Sequence, residues 1–340
     1  MAENERVNTT PAKMAETMLQ CDGRIVIVAH TRPDGDAAGS ALGLCLALKA
    51  SGRNAVCVGL EPLGREFDYL EGLRDIIPAR DYKPAEGDVM AIVDCGDFSR
   101  IPENLRGYAS ELAEFFIDHH KSNSGFAKTQ LLDPSASSTA ELIYRIATAG
   151  GMPITLGVAE ALWTGLITDT GRFAYSNTTP ESMRCGAELL EKGVRTAMIN
   201  DMVYDQVDLR RLRLLSLLLD SLEVSEDGRV CVVSLTPMDY AMAGGDAVDS
   251  DNFVNVARSV AGTTIAAFLR QELETDPVHL SLRTRPPHDA SEICSAWGGG
   301  GHERAAGANI DGDLESVREM VQERLEEIAA SVPLEKESKE

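Results

Sequence analysis

Short apolar runs in this chain end in residues that hold divalent cations. The run RIVIVAHTRPDGD places His30, Asp34 and Asp36 within seven residues. VMAIVD ends on Asp94, EFFIDHH ends on Asp118, His119 and His120, and GLITDTGRF carries Asp169. Mixed imidazole and carboxylate donors suit Mn²⁺ or another first-row divalent ion better than calcium or thiolate-bound zinc. His30, Asp34, Asp36, Asp94, His119 and Asp169 exceed what one ion needs once water and substrate take their places. Two ions bridged by a carboxylate are the arrangement that hydrolyses phosphate esters. Each residue also has a plainer role. Aspartates in RPDGDAAG are common turn and helix-cap residues, with Asp36 placed to cap the next helix, and Asp94 lies beside the turn residues Gly96 and Asp97. If the strand persists, His119 and His120 point to opposite sides, so one is a ligand and the other a substrate contact. Recurrence at several strand ends favours a shared site.

The elements that must position these residues are legible as alternation. RIVIVAH, AVCVGL, DVMAIVDC and EFFIDHH read as strands, and AAGSALGLCLALKASG, STAELIYRIATAGG and LGVAEALWTGLITD read as helices. This is the signature of βαβ units in a parallel sheet, whose ligands sit beyond the carboxyl ends of the strands. Around VYDQVDLRRLRLLSLLLDSLEV one long amphipathic helix is expected as a connector. GRVCVVSLT, TTIAAFLRQ and VHLSLRTR then read as strands, followed by a glycine-rich loop and a closing helix from about Asp313 to Ala330. The expected fold is α/β: a parallel-sheet catalytic domain over 1–195, a helical linker over 196–224, a smaller α/β substrate-binding domain over 225–332, and a disordered tail over 333–340. The active site is expected in the interdomain cleft.

Composition narrows the function. The 340 residues are 44% hydrophobic and 25% charged, enough for a real core, and the net charge of −22 disfavours long nucleic acid, whose binding relies on Lys and Arg. Seven scattered cysteines without CxxC spacing suggest reduced, mostly buried thiols. MAENERVNTTPAKMAETMLQ has no basic region followed by an apolar one, and no run approaches a membrane span, so a cytoplasmic protein is expected.

In the second half, WGGGGHERAAG reads as a phosphate cradle or as a turn between strands. Gly299, Gly300 and Gly301 leave backbone N–H groups accessible, and His302 stands beside them. Arg283 and Arg285 are same-face neighbours if the strand reaches both, and Arg283 is favoured as the clamp for a terminal phosphate. His279 reads as an ordinary strand residue and His288 as a loop residue.

The motifs AHTRPDGDAAGS, VDCGD, DHH and LITDTGRF, in this order, resemble the four motifs of the DHH phosphoesterase superfamily. VARSVAGTTIAAFLRQ, SLRTR and WGGGGHERAAGANI resemble its DHH-associated domain. Together the halves resemble the nanoRNase/pAp phosphatase family, or bifunctional oligoribonucleases. The resemblance implies that His30, Asp34 and Asp94 hold one ion and Asp36, Asp94, His119 and Asp169 the other, with Asp94 bridging. It places His120 near the scissile phosphate, Asp118 in support of the histidine pair, and Arg258 and Asn255 among the substrate contacts. The chain has DNFVNVARS where the family often shows a glycine before the Val-Asn pair. Two Mn²⁺ ions are the implied cofactors, with Mg²⁺ or Co²⁺ as alternatives. Short RNA oligonucleotides and pAp are the implied substrates, cleaved to nucleoside 5'-monophosphates and AMP; long duplexes and membranes are not implied. Phosphodiesterases for c-di-AMP, pApA or pGpG are the nearest rival. RecJ-like exonuclease, inorganic pyrophosphatase and non-catalytic nucleotide sensor rank lower. The connector's exposed face is the candidate surface for a homodimer.

Overall fold

The computed structural model describes residues 7–120, 123 and 125–332. The tail expected over 333–340 lies outside them. Its contacts divide the chain into two units, residues 1–206 and 207–340.

The first unit contains β1 (Val7–Asn8), α1 (Pro11–Gln20), β2 (Ile25–Val28), α2 (Gly35–Ala50), β3 (Ala55–Cys57), β4 (Val89–Val93), α3 (Glu103–Leu112), β5 (Ala113–Asp118), β6 (Thr129–Leu132), α4 (Thr139–Ala149), α5 (Leu156–Asp169), α6 (Pro180–Glu191) and α7 (Thr196–Asn200). Its strands form one sheet in the order β1-β6-β5-β4-β2-β3, and every pairing is parallel. Both faces are covered, which explains the unbroken apolar runs. Ile25 and Ile27 face one core with Phe115 and Ile117, while Val26 and Val28 face the other with Ile92 and Phe116. Helices α4 and α5 begin where capping residues predict, with Ser138 accepting from Glu141 N and Thr155 from Val158 N.

Helices α2 and α5 approach closely because α2 carries Gly35, Gly39 and Gly43 along one face. A Cβ on Gly39 would lie 2.3 Å from Ala161 O and 2.8 Å from Gly165 N, and one on Gly165 would lie 2.6 Å from Asp36 Oδ1. Backbone contact at this depth brings the start of α2, with Asp34 and Asp36, beside the end of α5, with Asp169.

The second unit contains α8 (Leu209–Asp220), β7 (Glu223–Val224), β8 (Val230–Leu235), α9 (Pro237–Ala243), α10 (Val254–Ser259), β9 (Ile265–Arg270), β10 (Val278–Thr284), α11 (Ala290–Ser295), β11 (Gly300–His302), β12 (Ala305–Ile310) and α12 (Leu314–Ala330). Its sheet is mixed, in the order β11-β12-β10-β9-β8-β7, with only β8 and β9 parallel. The closing helix starts after Asp313, whose carboxylate accepts from Ser316 N.

The single long connector is not formed. A π-helical turn over Asp201–Asp205 ends the first unit, and α8 starts afresh after Asp208, which caps it through Arg210 N. The helix then buries Leu214 and Leu218 with Cys231, Val233 and Phe268 of the second unit. A fresh cap and an apolar stripe matched to the second sheet make it part of that unit.

Candidate metal centre

The carboxyl edge of the first sheet gathers the candidate ligands. Two residues past β2, His30 is buried; Asp94 directly follows β4; Asp118 is the last residue of β5. Asp94 adopts φ +50°, a left-handed conformation uncommon for a residue with a side chain, while its N–H donates to Ile117 O at 3.0 Å. The fixed backbone turns the carboxylate back across the strand ends.

Three groups of potential ligand atoms result, each within 4.8 Å: His30, Asp34 and Asp94; Asp36, His119 and Asp169; and Asp94, His119 and His120. Asp94 is common to the first and third, and His119 to the second and third. His30 Nε2 lies 3.8 Å from Asp34 Oδ2 and from Asp94 Oδ2. His119 Nε2 lies 3.4 Å from Asp169 Oδ2 and 3.8 Å from both Asp36 Oδ2 and Asp94 Oδ1. These separations, mostly beyond hydrogen-bond reach, match the roughly 3–4 Å between ligands of a cation with bonds of about 2.1 Å.

The electrostatics of the cluster point the same way. Burial, followed by the repulsion of Asp169, pushes the Asp36 carboxyl up to about 7. Burial and then Asp36 raise Asp94, and burial also raises Asp169. Carboxylates held this close, two of them buried, raise one another's pKa by mutual repulsion, which a divalent ion between them would offset. A divalent ion fits this donor set.

The aspartates are oriented by groups that leave donor oxygens turned to the centre. Asp34, not Asp36, caps α2, accepting from Asp36 N and Ala37 N. Asp36 instead accepts from Thr139 N at 2.7 Å and Ala140 N at 2.9 Å, at the start of α4. The Thr139 hydroxyl donates to Asp94 Oδ1 at 2.8 Å. Asn177 holds the Asp169 turn, donating to Ser137 O and Asp169 O. Thr139 and Asn177 were not singled out from sequence, where they read as a helix start and a loop residue.

His119 and His120 do not face opposite ways. The strand stops at Asp118, and the two rings stand 4.9 Å apart, each with a nitrogen 3.8 Å from Asp94 Oδ1. Asp118 supports only one of them: His120 Nδ1 donates to Asp118 Oδ1 at 2.8 Å, whereas His119 Nδ1 meets Ala136 O at 3.3 Å. Asn123 donates to Asp118 Oδ2. Burial alone would raise the Asp118 carboxyl, but the bonds from His120 and Asn123 outweigh it and hold it low. The bond to Asp118 raises His120 against the opposing effect of burial.

In the second unit, β10 alternates, with Leu280 and Leu282 in the core and His279, Ser281 and Arg283 on the other face. His302 and Arg283 both stand opposite Ala305, one on each side of β12. Burial and then the nearby Arg258 lower the Arg283 guanidinium. Among the described residues neither arginine has a carboxylate within 4.0 Å. Asn255 lies one turn before Arg258 on α10. Gly300 and Gly301 form an edge strand with His302, where a Cβ on Gly301 would lie 2.6 Å from Ala305 O. Gly299 precedes it, and a Cβ there would lie 2.2 Å from Gly307 O. The glycines thus permit close strand pairing and leave an open sheet edge, whose outward backbone groups a ligand can use. Arg285 lies past the strand end, and its guanidinium donates to Arg258 O at 3.3 Å. His279 pairs with Asn309, and His288 is buried in the loop after β10.

Sheet, edge and donor set define a DHH-type domain: residues 24–166 match the DHH family N-terminal domain, and residues 227–330 match the DHHA1 domain. The bifunctional oligoribonuclease and PAP phosphatase NrnA of Thermus thermophilus is 35% identical, over 92% of this chain and 93% of its own length. Its namesake in Bacillus subtilis is 27% identical, over 84% and 89%. The crystal structure of an exopolyphosphatase-related protein from Bacteroides fragilis superposes with a TM-score of 0.83 at 28% identity, covering 94% of this chain and 96% of that one. The chain belongs to the DHH family and, within it, to the group that contains these bifunctional oligoribonuclease and PAP phosphatase proteins.

Proposed function

We propose that this phosphoesterase hydrolyses short oligoribonucleotides to nucleoside 5'-monophosphates and removes the 3'-phosphate of pAp to give AMP. The observation that carries the reading is the cluster of buried Asp36 and Asp94 with the half-buried His119 and Asp169, completed by His30 and Asp34, in a chain 35% identical to a bifunctional oligoribonuclease and PAP phosphatase. We assign His30, Asp34 and Asp94 to one divalent ion and Asp36, Asp94, His119 and Asp169 to a second. The mixed donor set favours Mn²⁺. Such ions, when bound, lower the pKa of water and neutralise charge developing on phosphoryl oxygens.

The chain's own groups supply the rest. His120, partly exposed and with its pKa raised by the bond to Asp118, stands beside the centre, where its imidazolium form would donate its remaining ring proton to the leaving oxygen. Asp118 and Asn123 hold that ring in place. Arg283 and Arg258, without carboxylate partners among the described residues, and His302 beside the glycine edge would receive a second phosphate or the far end of a short chain. A few such contacts suit a short substrate on a protein of net charge −22. The test is AMP release from a diribonucleotide and from pAp by the purified chain with Mn²⁺; no release from either would overturn the reading.

A further inference from the structure

The ring of His30 has two neighbours that make opposite demands on one nitrogen. His30 Nδ1 lies 2.9 Å from Thr31 O and 3.0 Å from the Arg100 guanidinium Nη2. A carbonyl only accepts and a guanidinium only donates. Nδ1 must carry the proton to bond Thr31, and must lack it to bond Arg100. The opposite nitrogen, Nε2, faces Asp34 and Asp94. With a cation held through Nε2, Nδ1 would keep its proton for Thr31 O, and Arg100 Nη2 would be released for another acceptor.

The backbone of Arg100 is fixed, and its side chain is exposed. It ends a 3₁₀ turn whose Asp97 cap accepts from Ser99 N, and its carbonyl accepts from Thr31 N at 2.7 Å. That bond ties the loop after β4 to the loop after β2. The residue is exposed, and among the described residues no carboxylate lies within 4.0 Å of its guanidinium. A guanidinium that bonds His30 but has no carboxylate partner among the described residues is thus anchored at the rim of a carboxylate-rich centre.

We propose that Arg100, anchored beside a metal-ligand histidine, is a substrate-binding residue whose guanidinium binds a non-bridging oxygen of the substrate phosphate. This rests on the phosphoesterase reading above. The fork geometry of Arg matters as well as its charge.

The test compares wild type, Arg100→Ala and Arg100→Lys as full chains. Three quantities are read: Mn²⁺ affinity by calorimetry, KM for diadenylate at saturating Mn²⁺, and thermal protection by inorganic phosphate with Mn²⁺ present. The proposal expects Arg100→Ala to raise KM and the phosphate concentration needed for protection by about tenfold, as loss of one charge-assisted contact would. Mn²⁺ affinity stays within about twofold of wild type, and Arg100→Lys recovers part of the loss. Unchanged KM and phosphate protection would overturn it. So would a tenfold loss of Mn²⁺ affinity with normal KM at saturating metal, which would make Arg100 a support for His30. If wild type fails to cleave diadenylate, the functional reading falls, while phosphate protection still decides the role of Arg100.

Discussion

His120 Nδ1 and Asp118 Oδ1 are 2.8 Å apart across the end of β5, and the carboxylate is wholly buried while the imidazole is partly exposed. The bond to Asp118 raises the His120 pKa and so favours a proton at the rim of the centre. Asp118→Asn removes the charge and keeps the shape. It should lower kcat about 10- to 100-fold, in the range of lost support for a ligand-site histidine. A raised pKa keeps the imidazolium to higher pH, so the variant should lose activity at lower pH on the alkaline side. A kcat–pH profile at saturating Mn²⁺ checks this; an unmoved alkaline limb would contradict it.

Asp94→Asn should abolish turnover and preserve the fold, since Asn tolerates the left-handed backbone that Asp94 adopts at φ +50°. The metal-free variant should melt above metal-free wild type, because one of the mutually repelling buried carboxylates is gone. Mn²⁺ should raise the wild-type Tm by about 5 °C or more and the variant's far less. Calorimetric scans with and without a chelator measure all four values.

Gly39→Ala tests how helix packing sets the site. Its Cβ meets backbone, Ala161 O at 2.3 Å, so α2 and α5 must separate. The cost is about 1–3 kcal/mol, with weakened Mn²⁺ binding because Asp36 and Asp169 sit on the two helices. Gly107→Ala on exposed α3, where a Cβ meets open space, should instead stabilise by about 0.5–1 kcal/mol. Urea unfolding of both variants supplies the comparison.

Away from the centre, Asp88 is buried and takes a two-pronged bond from Arg24, at 2.9 and 2.7 Å, plus bonds from Tyr82 and Ala85 N. Burial pushes its pKa up, but these bonds outweigh burial and leave it lowered. A lowered folded-state pKa stabilises the protein above the unfolded-state value of about 4, and the contribution disappears as pH falls through the folded-state value. Asp88→Asn should therefore cost about 2–3 kcal/mol at pH 7 and progressively less in acid below pH 4. Urea midpoints between pH 3 and 7 test the convergence.

What was legible in the sequence was what periodicity and caps carry. The strands ending before His30, Asp94 and His119 are marked by apolar runs, and α4, α5 and α12 by Ser138, Thr155 and Asp313. Strands β6 and β12 were not foreseen: TQLL is short, and AAGANI has little strand propensity and owes its form to pairing with β10. The side-by-side histidines depended on where β5 stops, which hydrogen bonding decides. Arg100, Thr139 and Asn177 carry no spacing signal, because their roles arise from contacts between distant loops.

The central claim is most directly tested by initial rates of mononucleotide release, with Mn²⁺, from 5'-labelled RNAs of increasing length from the dinucleotide upward, with pAp assayed in parallel. The account predicts rapid cleavage of the dinucleotide and of pAp, with rates falling steeply as the chain lengthens. Rates that hold or rise with length would contradict it and mark a processive exonuclease instead.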